Sequence, residues 1–293
     1  MKFWLKRNWK YIVVLMICLI TMLYGVLEEL NFFNIMKMAL FEPGYKENFF
    51  LHEENAALWS VDPTIWNIAK TVVSEGYFVF DVSLIFGTMW FQIIIPIFAT
   101  LSGIVFYQHY NSIMQMSTVR EKKSYRAMML KHILFNSLKL AGTIFAAYLV
   151  FMIIMKCISM PGEHGADERS LFADLLESGF YLKHMVLYFI LEGFVRFFLI
   201  PFAYASLAQS VVLLGRSLKE VVAAPILYYY GLAAIGYALV SIAPVAAIYI
   251  NPSVIMASGS YDGFHSLVLI LINLIPLYIA IGIICWRTKD VQV

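Results

Sequence analysis

Two charged side chains, Glu192 and Arg196, stand one helical turn apart inside an otherwise apolar run, "YFILEGFVRFFLI". A carboxylate and a guanidinium at that spacing on a helix can neutralise each other. Charge at membrane depth is costly and marks substrate pathways or gates by default. The pair therefore has two readings, a self-satisfied structural contact or a role in passage and gating. A second constellation is the stretch "SIMQMSTVREKKSYRAMMLKH", which gathers Arg120, Lys122, Lys123, Arg126 and Lys131 between two apolar runs. Ile113, Met116 and Val119 recur three apart, so residues 111–119 are expected to form a short helix with one apolar stripe, followed by the charged "REKKSYR". A short amphipathic helix there suits a docking contact for a soluble partner, or equally a helix lying among lipid headgroups.

Other candidates are weaker. His164 and Glu168 lie four apart with Asp167 beside them, which are metal-ligand types, but the flanking Gly165 favours a solvated loop and no metal is expected. No G-x-x-x-x-G-K-[ST] loop is present to cradle phosphates, so ATP, if it drives this protein, is hydrolysed on another polypeptide. No residue is assigned a catalytic role.

The elements that must position these residues follow from composition. Of 293 residues, 61% are hydrophobic and 14% charged, and mean hydropathy is +0.77. This composition predicts an all-α, polytopic membrane protein. A helix rising ~1.5 Å per residue needs ~20 mostly apolar residues to cross ~30 Å of hydrocarbon. Six stretches qualify, at about 11–27, 82–107, 132–155, 184–215, 221–250 and 266–286. The fourth and fifth exceed that thickness, and kinks at Pro201, Pro225 and Pro244 or tilt would accommodate them.

Orientation follows from Lys and Arg, which stay on the cytoplasmic side during insertion. Lys2, Lys6, Arg7 and Lys10 precede the first span, the basic segment 108–131 separates the second and third, Arg216 and Lys219 separate the fourth and fifth, and Arg287 and Lys289 follow the sixth. The intervening connections, 31–80, 156–183 and 251–265, carry acids such as Glu53, Asp62, Asp174 and Asp262. Both termini are thus expected to be cytoplasmic, and the first span an uncleaved anchor. The formal charge of +2 is explained by this topology, and no nucleic-acid partner is implied. Cys18 and Cys285 fall in spans and Cys157 near the outer face, so no internal disulfide is expected.

The first outer connection is long enough for a small cap. Within it, "SVDPTIWNIAKTVVSEG" predicts a helix capped by Asp62, with Pro63 in its first turn and Ile65, Trp66, Ala69, Val72 and Val73 on its apolar face. The second predicts a short amphipathic helix at Leu171 to Leu176, and the third is read as dipping into the membrane surface. Small residues four apart, Ala99 and Gly103, Gly142 and Ala146, and Ala234 and Ala238, allow close helix approach, within one chain or between copies. Lys139 is read as snorkelling to the cytoplasmic face, with Glu28 and Glu29 at the outer end of the first span.

Six spans, a short N-terminus, a large first outer connection and "MSTVREKKSYRAMMLKHILFNSLK" leading into the third span together resemble the permease subunits of bacterial ATP-binding-cassette type-2 exporters. The resemblance implies a coupling helix between spans two and three that contacts the ATPase, here Ile113, Met116, Val119, Arg120, Lys122, Lys123, Tyr125 and Arg126, with 214–220 as a second contact. It implies partner ATPase subunits that carry ATP and Mg, a second identical or homologous permease, surrounding membrane lipids, and a multi-pass location in the bacterial plasma membrane. Aromatic-rich and Met-rich spans suit an amphipathic or apolar cargo, a peptide (antimicrobial peptides included), lipid or drug.

Two alternatives belong to other classes. An ion-coupled carrier needs a titratable centre, for which only Glu192 is available, and often an inverted repeat, which is not visible. A partial likeness to CAAX-type intramembrane proteases rests on Glu28 and Glu29 and on "FYLKH", Phe180 to His184, without the Arg that follows the paired Glu in that family. A non-transporting component that protects or senses is a further possibility.

Overall fold

The computed structural model describes residues 2–29, 31–51, 64–74, 80–120, 125–158, 171–172, 174–177, 179–215, 217–256 and 264–288. Every regular element among them is helical. In chain order these are α1 (Lys2–Glu29), α2 (Phe32–Phe41), α3 (Tyr45–Leu51), α4 (Ile65–Ser74), α5 (Phe80–Thr88), α6 (Phe91–Arg120), α7 (Tyr125–Ile158), α8 (Phe180–Lys183), α9 (Met185–Phe194), α10 (Ile200–Val212), α11 (Leu218–Leu239), α12 (Pro244–Ile250), α13 (Pro252–Met256), α14 (Ser266–Asn273) and α15 (Ile275–Arg287), with a π-turn at Val195–Leu199 joining α9 to α10. Six segments are long and apolar enough to cross a membrane: 8–28, 91–110, 125–158, 185–212, 218–239 and 266–287. That is the composition of a multi-pass membrane protein.

The chain divides into two compact units. The larger comprises residues 1–18, 91–149 and 167–293, and is built on α6, α10, α11 and α15. Its close approaches need small residues. A Cβ on Gly103 would lie 2.9 Å from Val221 Cγ1 and 3.1 Å from the Ala208 methyl, so this small residue is used for packing inside the chain. Beside Gly142, by contrast, there is open space, and Ala234 and Ala238 are exposed.

The smaller unit comprises residues 19–90 and 150–166. A Cβ on Gly87 would fall 2.3 Å from Phe151 Cζ, so α5 rests directly against the last turns of α7. Helices α2, α3 and α4 make a small separate cluster around Ala39, Ile68 and Val72, flanked by Ile35, Met36 and Tyr45.

Several expectations are corrected. The second span does not begin at 82, because the chain turns at Met89 and Trp90 between α5 and α6. The Thr88 hydroxyl donates to the Leu84 and Ile85 carbonyls, competing with the next helical bonds where the helix stops. Residues 111–120 continue α6 without a break, so the segment read as a separate short helix is the end of a span helix. The fifth span stops at Leu239 and Pro244 opens a new helix, α12, instead of kinking a long one. The sixth breaks at Leu274, two residues before Pro276, whose missing N–H cannot bond back into α14.

On α4 the buried side chains are Ile68, Thr71 and Val72, while Trp66 is 77% exposed and stands on the opposite side. Asp62 and Pro63 lie outside the described residues, and the helix start is capped by the Thr64 hydroxyl, which accepts the Asn67 N–H at 3.2 Å. Residues 171–172 and 174–176 form turns and bends and not an amphipathic helix, as Phe172 sits in the left-handed region at φ 72°, which a helix cannot continue. Between the fifth and sixth apolar segments lie α12 and α13, which pack on α11 and α14, with Asn251 turning the chain by accepting the Ser253 N–H at 3.0 Å.

Candidate functional site

Glu192 is on α9 and Arg196 in the π-turn, and both are buried, at 3% and 4% exposure. Arg196 Nη2 lies 2.7 Å from Glu192 Oε1. Its Nε donates to the Ile255 carbonyl of α13 at 2.7 Å. The wide turn falls immediately before Pro201, where a proline ring and absent N–H disturb the regular i→i−4 ladder. Such turns inside helices occur often at functional positions.

Aromatic rings enclose the pair's helix. Tyr148 of α7 lies so close to Gly193 that a Cβ there would be 2.1 Å from Tyr148 Cε1. The Tyr148 hydroxyl donates to the Phe189 carbonyl at 3.0 Å, and its ring centroid is 4.6 Å from that of Phe197, which in turn meets Phe91 edge-on at 5.1 Å. Burial in such surroundings strengthens the Glu192–Arg196 attraction and raises the cost of removing either member.

The basic segment is a helical hairpin. Ile113, Met116, Val119 and Arg120 lie on the last turns of α6, Lys122 and Lys123 fall outside the described residues, and Tyr125 and Arg126 open α7. The Tyr110 and Tyr125 hydroxyls meet at 3.2 Å, joining α6 well before its end at Arg120 to the first residue of α7. Tyr125 therefore serves the hairpin itself, and Arg126, although exposed, donates to Cys285 Sγ of α15 at 2.7 Å. Around these contacts one apolar cluster collects Phe106, Met129, Ile133, Val212, Val221 and Ile284, flanked by Tyr110 and Tyr125. Phe106 and Tyr110 of α6, the start of α7, the end of α10, the start of α11 and the end of α15 thus pack together. Arg287 adds a bond to the Leu214 carbonyl at 3.2 Å.

In residues 214–220, Gly215 takes φ 68° to end the helix, and Ser217 and Glu220 form a reciprocal capping box that starts α11. The S-x-x-E spacing in "SLKE" is a readable signal for this cap. Lys219 is exposed there.

At the other end of the same unit, two acid-bearing connections meet. Asp174 accepts the Ser266 N–H at 3.0 Å and the Ser266 hydroxyl, with His265 Nδ1 at 3.6 Å, and Tyr188 donates to the Leu171 carbonyl at 2.5 Å. Partial burial pushes the Asp174 carboxyl up, but the Ser266 hydroxyl and N–H, with His265, outweigh it and hold the pKa below the usual carboxylate value. Nothing in the sequence pairs Asp174 with Ser266.

Of the remaining candidates, His164, Asp167 and Glu168 lie outside the described residues. Glu28 is exposed at the end of α1, and the ring of exposed His184 lies tilted against Phe180, centroids 5.1 Å apart, in the break between α8 and α9. Lys139 lays its ammonium 4.3 Å from the Phe135 ring centroid. Comparison with known protein families, curated proteins and solved structures finds no match to this chain.

Proposed function

We propose that the chain is the permease subunit of an ATP-binding-cassette exporter in a bacterial plasma membrane. In this reading two permeases form the translocation pathway for an amphipathic or apolar cargo, such as a peptide, lipid or drug, and separate cytoplasmic subunits bind and hydrolyse ATP. The observation that supports it is the packing beside the basic connections, where Phe106 and Tyr110 of α6, the start of α7, Leu213 and Val221 on either side of residues 214–220, and Ile284 of α15 share one cluster, with Arg287 bonded to the Leu214 carbonyl. A rigid basic end is what a motor must push against, because force applied to a loosely held loop would not reach the spans. Arg120, Lys122 and Lys123 supply the charge for docking, Ile113, Met116 and Val119 the apolar stripe, and Tyr125 and Arg126 hold the hairpin to its neighbours.

The carrier alternative has less support, since its centre, Glu192, is buried and already paired with Arg196. The test is purification of the protein from its native membrane in mild detergent, with identification of what co-purifies in stoichiometric amount. The proposal expects a soluble ATPase that is lost when Arg120, Lys122 and Lys123 are changed to Glu. A preparation without any ATPase, or one that retains it despite the reversal, counts against the assignment.

A further inference from the structure

Helix α2 begins where α1 stops. Asn31 takes φ 53° and its N–H donates to the Glu28 carbonyl at 2.9 Å, so the chain reverses at once. The reversal brings the Phe33 ring onto Tyr24 of α1, with centroids 5.6 Å apart. Tyr24 precedes the exposed Glu28, the end of the apolar segment 8–28, by one helical turn, about 6 Å. Tyrosine suits the boundary between hydrocarbon and water. Phe33 is thus held beside the last apolar turn of the span, on the hydrocarbon side of the Glu28 carboxylate.

Length and flanking polarity fix how α2 lies. Its ten residues reach about 15 Å, half of the ~30 Å hydrocarbon core, so it cannot cross. Glu28 and Asn31 stand exposed before it, and Glu42 and Glu47 stand exposed after it. Carboxylates at both ends keep those ends out of hydrocarbon, so α2 runs along the boundary and does not dip through it.

The sides of α2 divide. Ala39 is buried against Ile68 and Val72 of α4, with Phe32, Ile35 and Met36 packed beside it. Phe33 and Leu40, two turns apart on another side, remain 49% and 56% exposed. They extend a line of exposed side chains on α1, Ile20 and Tyr24, so one apolar strip passes from the span helix to α2 through the Tyr24–Phe33 stack. Hydrocarbon covers Ile20 and Tyr24 in a span, and at the same level it reaches Phe33. The polar residues of α2, Asn34 and Lys37, are exposed next to this strip, where the lysine stem can lie along it and the ammonium reach headgroups.

We propose that α2 is an interfacial helix whose partner is the lipid of the leaflet at the C-terminal end of α1, with Phe33 and Leu40 among the acyl chains and Lys37 at the headgroups. The assignment rests on the apolar spans and the Tyr24–Phe33 contact, not on the exporter reading, and holds whichever side of the membrane that leaflet faces.

Nitroxide labels on single cysteines test it, in the full chain with Cys18, Cys157 and Cys285 changed to Ser and reconstituted in phosphatidylcholine vesicles. The labels are placed by Phe33→Cys, Leu40→Cys and Asn34→Cys, with Ile20→Cys as the reference in the span and Glu47→Cys as the reference in water. Collision with oxygen, which concentrates in hydrocarbon, is compared with collision with a water-soluble nickel chelate. The oxygen-to-nickel ratio at positions 33 and 40 should approach that at position 20, with position 34 lower than both and position 47 lowest. Leu40→Cys decides the matter if Phe33→Cys, which loses the Tyr24 stack, does not fold. A ratio at position 40 no higher than at position 47 overturns the proposal, because the strip would then face water. Loss of collision with both reagents at position 40 also overturns it, because protein and not lipid would cover the strip.

Discussion

Arg196 donates its Nε hydrogen to the Ile255 carbonyl at 2.7 Å, tying the fourth span to a short helix 59 residues further along the chain. Because the same guanidinium also meets Glu192 at 2.7 Å, one side chain links the π-turn, the preceding helix and α13. Any shift of α13 would be felt at the one irregular turn of that span.

Glu192→Ala or Arg196→Ala alone leaves a buried charge without its partner and should cost about 3–5 kcal/mol. Replacing both by Leu and Met should cost less than either single change, with about 1–3 kcal/mol remaining for the unbonded Ile255 carbonyl. Denaturation in detergent micelles checks this ordering. Equal damage from all three variants, with folding intact and transport lost, would point to a direct role in passage.

Gly193→Ala should destabilise by about 1–3 kcal/mol, since the new methyl would enter the Tyr148 ring. Tyr148→Leu should recover part of that loss in the double variant, and thermal unfolding of the four-member cycle measures the coupling. Additive effects would mean that the two side chains do not meet.

The Asp174 carboxyl has a depressed pKa in the folded protein, so its contribution is complete above the unfolded value and is lost as pH falls through the folded one. Midpoints of thermal unfolding should thus be insensitive to this group from neutral pH down to about 4, the ordinary Asp value, and decline below it. Asp174→Asn should reduce the acid-side decline. An unchanged acid profile would show that the Ser266 contact contributes nothing to stability.

The six apolar segments were legible because hydropathy over ~20 residues is a property of composition. Their breaks were not, because the stops at Thr88, Leu239 and Leu274 depend on a hydroxyl bonding back to carbonyls or on a proline opening a new helix instead of bending an old one. Glu192 and Arg196 were found from spacing alone, yet their third partner is a backbone carbonyl, which no residue type announces. Periodicity puts Trp66 on an apolar face of α4 that lies on the bilayer or the bundle; the structure covers Ile68, Thr71 and Val72 and leaves Trp66 exposed. The resemblance implies Tyr125 in a docking surface, whereas its hydroxyl contact with Tyr110 is one that no residue type announces. The leucines of residues 171–176 suggested a helix, and the left-handed Phe172 prevents one.

Docking of an ATPase requires the basic end to face the compartment that holds ATP. Cys157, exposed at the far end of α7, is the thiol expected outside, and Ser124→Cys in a chain with Cys18 and Cys285 changed to Ser supplies the one expected inside. Labelling of intact cells with a membrane-impermeant maleimide should modify Cys157 at once and the thiol at position 124 only after permeabilisation. Modification at position 124 in intact cells would reverse the topology and remove the docking assignment with it.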